Sequence, residues 1–111
     1  MTLDHGADVR STNRYGGTAL IPASERGHVS TVRILLAAGV PVNHVNNLRW
    51  TALHEAIVLG TGSRDHIEVV RTLLAAGADA SIPDGEGVPP RDLALERGYR
   101  EIVQAIDRAA E

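Results

Sequence analysis

The chain has no cysteine and no phenylalanine, and only one tryptophan and two tyrosines among its 111 residues. Without cysteine there are no disulfides and no thiolate-bound zinc, and the redox compartment stays open. Without phenylalanine the core must be Leu, Ile, Val and Ala, residues that suit thin, closely stacked layers. Hydrophobic residues still make up 43%, enough for one compact unit of ordinary domain size. Basic runs are also missing. The net charge is -3 with both signs interspersed, which argues against a nucleic-acid footprint. No stretch approaches the ~18 apolar residues of a membrane span. Met1 to His5 lack the basic start and apolar core of a signal peptide.

What is present repeats. Thr51-Ala52-Leu53-His54-Glu55-Ala56 has a partial copy, Thr18-Ala19-Leu20-Ile21-Pro22-Ala23, 33 residues earlier. A weaker copy follows at Pro89-Pro90-Arg91-Asp92-Leu93-Ala94. Gly6, Gly39 and Gly77 each precede a box by twelve residues, at Thr18, Thr51 and Pro89. Leu3-Asp4-His5-Gly6-Ala7-Asp8-Val9 resembles Leu74-Ala75-Ala76-Gly77-Ala78-Asp79-Ala80.

This box and its 33-residue period resemble the ankyrin repeat, whose typical form is T-P-L-H-x-A. The resemblance covers nearly the whole chain. It implies an all-α fold, an ankyrin-repeat α-solenoid in which helix–turn–helix pairs are joined by extended β-turn arms. It also implies a single domain with four parts. Residues 1–12 are the tail of a partial repeat, 13–45 a full repeat, 46–83 a second repeat, and 84–111 a degenerate C-terminal capping repeat. The composition, rich in Ala, Arg, Leu and Gly, is in the style of bacterial ankyrin proteins.

Within the first repeat the inner helix is expected from Ala19 to about Glu25, with Thr18 as N-cap and Pro22 near the first turn. Gly27 ends it in the left-handed conformation. Val29, Val32, Leu35 and Leu36 recur at helical spacing and mark the outer helix. The two helices that should precede Leu3 are missing, so the first full repeat is expected to expose an apolar flank, a candidate surface for a homodimer.

The second repeat carries five extra residues, Thr61 to Asp65: Thr18 to Gly39 spans 21 positions, whereas Thr51 to Gly77 spans 26. The outer helix is expected to restart at His66, with Asp65 and Glu68 at capping-box spacing. In the third repeat Arg91 replaces the buried Leu of the box and Asp92 its His. The polar end of the last helix reads as a cap. Arg49 stands where Gly16 and Gly87 supply the turn glycine, and is strained if that turn needs φ > 0.

Catalytic and cofactor motifs fail on inspection. His54-Glu55 opens like H-E-x-x-H, but the second His would have to stand at Val58. Gly60-Thr61-Gly62-Ser63 lacks the lysine of a phosphate loop. His5, His28, His44 and His66 show no ligand spacing. No metal, no cofactor and no catalytic residue is expected. The resemblance instead gives Thr18, Thr51 and His54 a structural role in the box, and makes the protein a non-enzymatic interaction module for a protein partner.

The same resemblance places partner contacts on turn tips and inner-helix ends. By register these are Arg14, Tyr15, Glu25 and Arg26 in the first repeat. The second contributes Asn47, Leu48, Trp50, Val58 and Leu59, and the third Glu86. The outer sets are mostly polar and the middle one apolar, with Val45 adjoining, which is how interfaces are built. Trp50 is the natural hot spot. Two other readings stay open. The insertion could fold over Val58 and Leu59 and bury Trp50 as a packing residue. The chain could also serve as a self-associating regulatory fragment, or as an accessory domain of a larger enzyme.

Overall fold

The computed structural model describes residues 19–46 and 49–110. Among these residues there are six helices and no strands. They are α1 (Leu20–Glu25), α2 (Val29–Ala37), α3 (Ala52–Val58), α4 (Arg64–Ala75), α5 (Pro90–Glu96) and α6 (Arg100–Ala109). The short helices α1, α3 and α5 pack side by side in an inner layer, and α2, α4 and α6 in an outer one. The expected α-solenoid of helix pairs is therefore what forms.

The core is aliphatic, as the missing aromatics require. Leu20 and Ile21 of α1, Leu53 and Ile57 of α3, and Leu93 and Ala94 of α5 are buried along the inner layer. Val32 and Leu35, then Val70 and Leu73, then Ile102 and Ile106 continue it through the outer helices. Short helices of this kind have little stability alone, and packing against neighbours holds them.

The arms are tied to each other by side chains. Asn43 in the first arm donates its amide to the Gly77 carbonyl at 3.1 Å, and its carbonyl accepts the Asp79 N–H at 2.7 Å. Each arm ends in a tight turn. Asn46 N–H bonds the Trp50 carbonyl at 2.9 Å, and Asp84 N–H bonds the Val88 carbonyl at 2.9 Å. Gly27 is left-handed as expected, at φ 71°.

The start of α4 differs from expectation. The helix begins at Arg64, three positions earlier in register than α2, so the insertion lengthens it by nearly a turn. The cap is Ser63 and not Asp65: the Ser63 hydroxyl accepts the His66 N–H at 3.3 Å and lies 2.8 Å from His66 Nδ1. Ser63 wins because a β-region hydroxyl before the first turn reaches the orphan donor three residues on. Asp65, already inside the helix, is placed to favour the helix dipole instead.

Candidate functional site

The Thr51 box organises the middle of the molecule. Thr51 is extended, and its hydroxyl accepts the His54 N–H at 3.4 Å. His54 Nδ1 accepts the Thr51 backbone N–H at 3.1 Å and lies 2.8 Å from the Thr51 hydroxyl. This is a capping box with histidine in the place of Glu or Gln. Since Nδ1 accepts, the proton sits on Nε2. Nε2 is buried without a hydrogen-bond partner among the described residues, with the Ile82 carbonyl of the next arm as a polar influence on it. Burial lowers the His54 pKa, and the Asp84 carboxylate and the Ile82 carbonyl oppose that shift. The box histidine is thus a neutral structural group.

Around it lie two polar turns of like design. Asn46 Oδ1 accepts the Trp50 N–H at 3.0 Å, and Asp84 Oδ1 accepts the Val88 N–H at 2.9 Å. Hydrogen bonds from the Val88 and Glu86 amides hold the Asp84 carboxyl below the ordinary range. Asn46 also donates its amide to Glu55 Oε1 at 3.2 Å, which ties its turn to α3. Glu55 is buried and its Oε2 has no protein partner. Burial raises its pKa, the Asn46 bond opposes this, and the Glu25 charge adds to it. Both turns need a positive φ at their fourth residue. Gly87 meets it at φ 82°, and Arg49 at φ 66°, the only non-glycine among the described residues to do so.

The predicted contact residues are spread over this frame. Arg14, Tyr15, Thr18, Asn47 and Leu48 lie outside the described residues. Glu25 ends α1 half-buried and Arg26 follows it, exposed. Trp50 is half-buried at the end of its turn, one residue before the Thr51 cap. At the far end of α3, about 10 Å along the axis, Val58 is half-buried and Leu59 is 48% exposed. Val45, beside the turn, is 40% exposed. Glu86 is exposed at the tip of the second turn. Trp50 and Leu59 therefore bracket α3, whose residues from Ala52 to Ile57 are all buried.

The inserted loop runs against the start of α6. Gly62 packs against the Tyr99 ring, and the Tyr99 hydroxyl is 3.5 Å from the Gly60 carbonyl. The sequence reading missed His66. Its ring is buried, and Nε2 lies 2.6 Å from the Glu25 carbonyl, 41 residues away. A signal was present: Ser63-x-x-His66 has the spacing of Thr51-x-x-His54.

Among the described residues no three His, Asp or Glu side chains converge as metal ligands. None of the helices is long and apolar enough to cross a membrane.

Comparison with known proteins agrees with this geometry. A family model described as ankyrin repeats, in three copies, matches residues 1–84. The ankyrin repeat protein YahD of Escherichia coli (strain K12) is 43% identical over 100 residues, 89% of this chain and 50% of YahD. The crystal structure of an ankyrin repeat domain from Acinetobacter baumannii AYE superposes with a TM-score of 0.95 at 60% identity. That match covers 97% of this chain and 55% of that domain. A second crystal structure, of the ankyrin repeat protein EF0377, gives 0.85 at 40% identity over 90% of this chain and 51% of that one. The chain spans about half the length of these relatives. By box, stacked helix pairs and these matches, the chain belongs to the ankyrin-repeat family, whose members generally serve protein–protein interaction.

Proposed function

We propose that the protein is a non-enzymatic interaction module that binds an apolar segment of a partner protein across the middle repeat, along the line from Trp50 to Leu59. The observation that carries this reading is Leu59. It caps the C-terminus of a helix buried throughout its body, yet it is itself 48% exposed. The same position is Arg26 in the first repeat and Arg97 in the third, both exposed. Before it, Val58 matches Glu25 and Glu96. At these two positions the middle repeat is apolar between charged pairs in its neighbours, and on the third repeat the exposed Leu95 lies one residue before its pair. An apolar centre inside a charged rim is the usual anatomy of a protein interface.

Trp50, with the large rigid area of its indole, is the expected anchor at the other end of the line. As the only Trp in the chain it also reports on its own site. Emission that is red-shifted and readily quenched by acrylamide, and that shifts to the blue when a partner binds, supports the reading. For a partner found this way, Trp50→Ala should cost roughly 2 kcal/mol of binding, and Leu59→Glu a similar amount. Unchanged affinity in both variants would place the interface elsewhere.

A further inference from the structure

We propose that the inserted segment is an inter-repeat clamp, built around a second hydroxyl–histidine box, that makes the three repeats open as one unit. A solenoid is stabilised by each repeat and by contacts between immediate neighbours, so its end repeats can open alone. The insertion lies in the middle repeat: its Ser63 holds His66, the residue that follows it, toward the first repeat, and its Gly62 lies on the third.

Toward the first repeat the contact is made by His66. Ser63 caps α4, its hydroxyl lying 2.8 Å from His66 Nδ1, which orients the ring. A carbonyl only accepts, so His66 Nε2 carries the proton and donates to the Glu25 carbonyl at 2.6 Å. Glu25 is the last residue of α1, and its carbonyl is among the acceptors that a helix end leaves without an internal partner. The amides that close α1 bond elsewhere, Arg26 to Pro22, Gly27 to Ser24 and His28 to Ala23. His66 thus caps a helix of another repeat. It does so at close range, for a Cβ built on Gly27 would lie 3.3 Å from both Asp65 and His66.

Toward the third repeat the contact is made by glycine. A Cβ at Gly62 would stand 2.6 Å from the Tyr99 ring, and Gly62 has φ 72°, so the bare backbone lies on Tyr99, the residue that precedes α6. A Cβ at Gly60 would stand 2.0 Å from the Ala56 carbonyl and 2.5 Å from the His66 ring. The glycines are there for close approach, and the stretch is wedged between helix ends. The exposed Arg64–Glu101 pair, at 3.6 Å, spans the same junction.

Native-state hydrogen exchange of the whole chain tests this. In the wild type the slowest amides of α2, α4 and α6 should share one protection factor. In His66→Ala, protection in α2 should fall at least tenfold below that in α4, with α6 still matching α4. His66→Gln, which keeps a donor for the Glu25 carbonyl, should recover part of the loss. In Gly62→Ala the loss should move to α6. Deleting residues 61–65 restores the Gly–His step of Gly27–His28, so this variant can fold in the manner of the first repeat. It should exchange with a separate rate for each repeat. The proposal is overturned if the wild-type repeats already exchange independently, if the point variants lower all three repeats in parallel or none, or if the deletion variant still opens as one unit.

Discussion

The second and third repeats start their inner helices at the same register position by different means. In the second, Thr51 and His54 exchange side-chain and backbone hydrogen bonds inside the core. In the third, Pro89 precedes the helix and Pro90 opens it, with no side-chain cap. Proline fixes φ near the helical value and has no N–H to satisfy at a position where that donor would be orphaned anyway. The difference follows from burial. Repeat two is covered on both sides, so its backbone donors must find partners within the protein. Among the described residues repeat three has a neighbour on one side only, and at the register of buried Leu53 it carries exposed Arg91, paired to Asp107 on α6 at 2.7 Å and 3.2 Å. The same backbone is held by internal bonds where water is excluded, and by a stiff chain with surface charges where it is not.

Exchanging the two solutions should expose the contrast most strongly at the core position. Leu53 is 1% exposed, and Leu53→Ala should cost about 3 kcal/mol, as for other large-to-small changes in a packed core. Its counterpart Arg91→Ala removes only an exposed pair, which solvent screens, and should leave the urea midpoint unchanged within error. Equal losses at both sites would show that the third repeat is packed as tightly at this register as the second.

The boxes themselves come next. His54→Ala removes a buried ring and leaves the Thr51 N–H without its acceptor, for a loss of about 2 kcal/mol. Asp92, the residue at the same register in the third repeat, is exposed. Asp92→Ala should stay within about 0.5 kcal/mol. Denaturant melts of the two variants side by side decide the matter.

Much of this was legible from sequence because it recurs. Leu20 and Leu53 share one copy of the box, and Val32, Val70 and Val103 one face of the outer helix, so each copy checks the others. Thr51 and His54 could be read as a box for the same reason, and Arg49 as a strained turn because Gly16 and Gly87 stand at its register. The insertion has no second copy in the chain, so periodicity fell silent there. Asp65 and Glu68 were then read as the cap by spacing alone. Ser63-x-x-His66 carried the better signal, since it reuses the geometry of the inner box, but its partner, the Glu25 carbonyl, is 41 residues distant and leaves no mark in local sequence. The contact patch is legible only as a contrast between copies, Val58 and Leu59 against two charged pairs, and that contrast names no partner.

A smaller effect concerns the buried carboxyl of the second repeat, which has no counterpart in the third, where Leu93 takes its register. The folded-state pKa of Glu55 is raised by burial. Its contribution to stability is therefore complete below the ordinary glutamate value and is lost as pH rises through the raised folded value. Glu55→Gln keeps an acceptor for Asn46 and removes the charge, so it should be more stable than wild type near neutral pH and should lack the decline across that window. His54 acts in the opposite sense. Its folded pKa is lowered by burial, so its contribution is present above the ordinary imidazole value and is lost as pH falls through the lowered one. Urea melts as a function of pH on wild type and Glu55→Gln separate the two. A wild-type curve that Glu55→Gln leaves unaltered would mean that the carboxylate gains compensating contacts in solution.

The two turns give the finest comparison, because each is closed by the same bonds between its first and fifth residues and each needs a positive φ at its fourth, which one meets with glycine and the other with arginine. Gly87, at φ 82°, has open space around an added Cβ, so Gly87→Ala meets only the backbone penalty of the left-handed region, about 1 kcal/mol. Arg49 already bears that penalty at φ 66°. Arg49→Gly removes it, but the glycine gains freedom in the unfolded chain, and contact of the Arg49 stem with Gly85 is lost. The net gain should be small, about 0.5 kcal/mol. Thermal melts should therefore move in opposite directions for the two variants, Gly87→Ala downward by the larger step and Arg49→Gly slightly upward. A loss of stability in Arg49→Gly would mean that the stem packed on Gly85 outweighs the strain, and that arginine is held in this turn by contact.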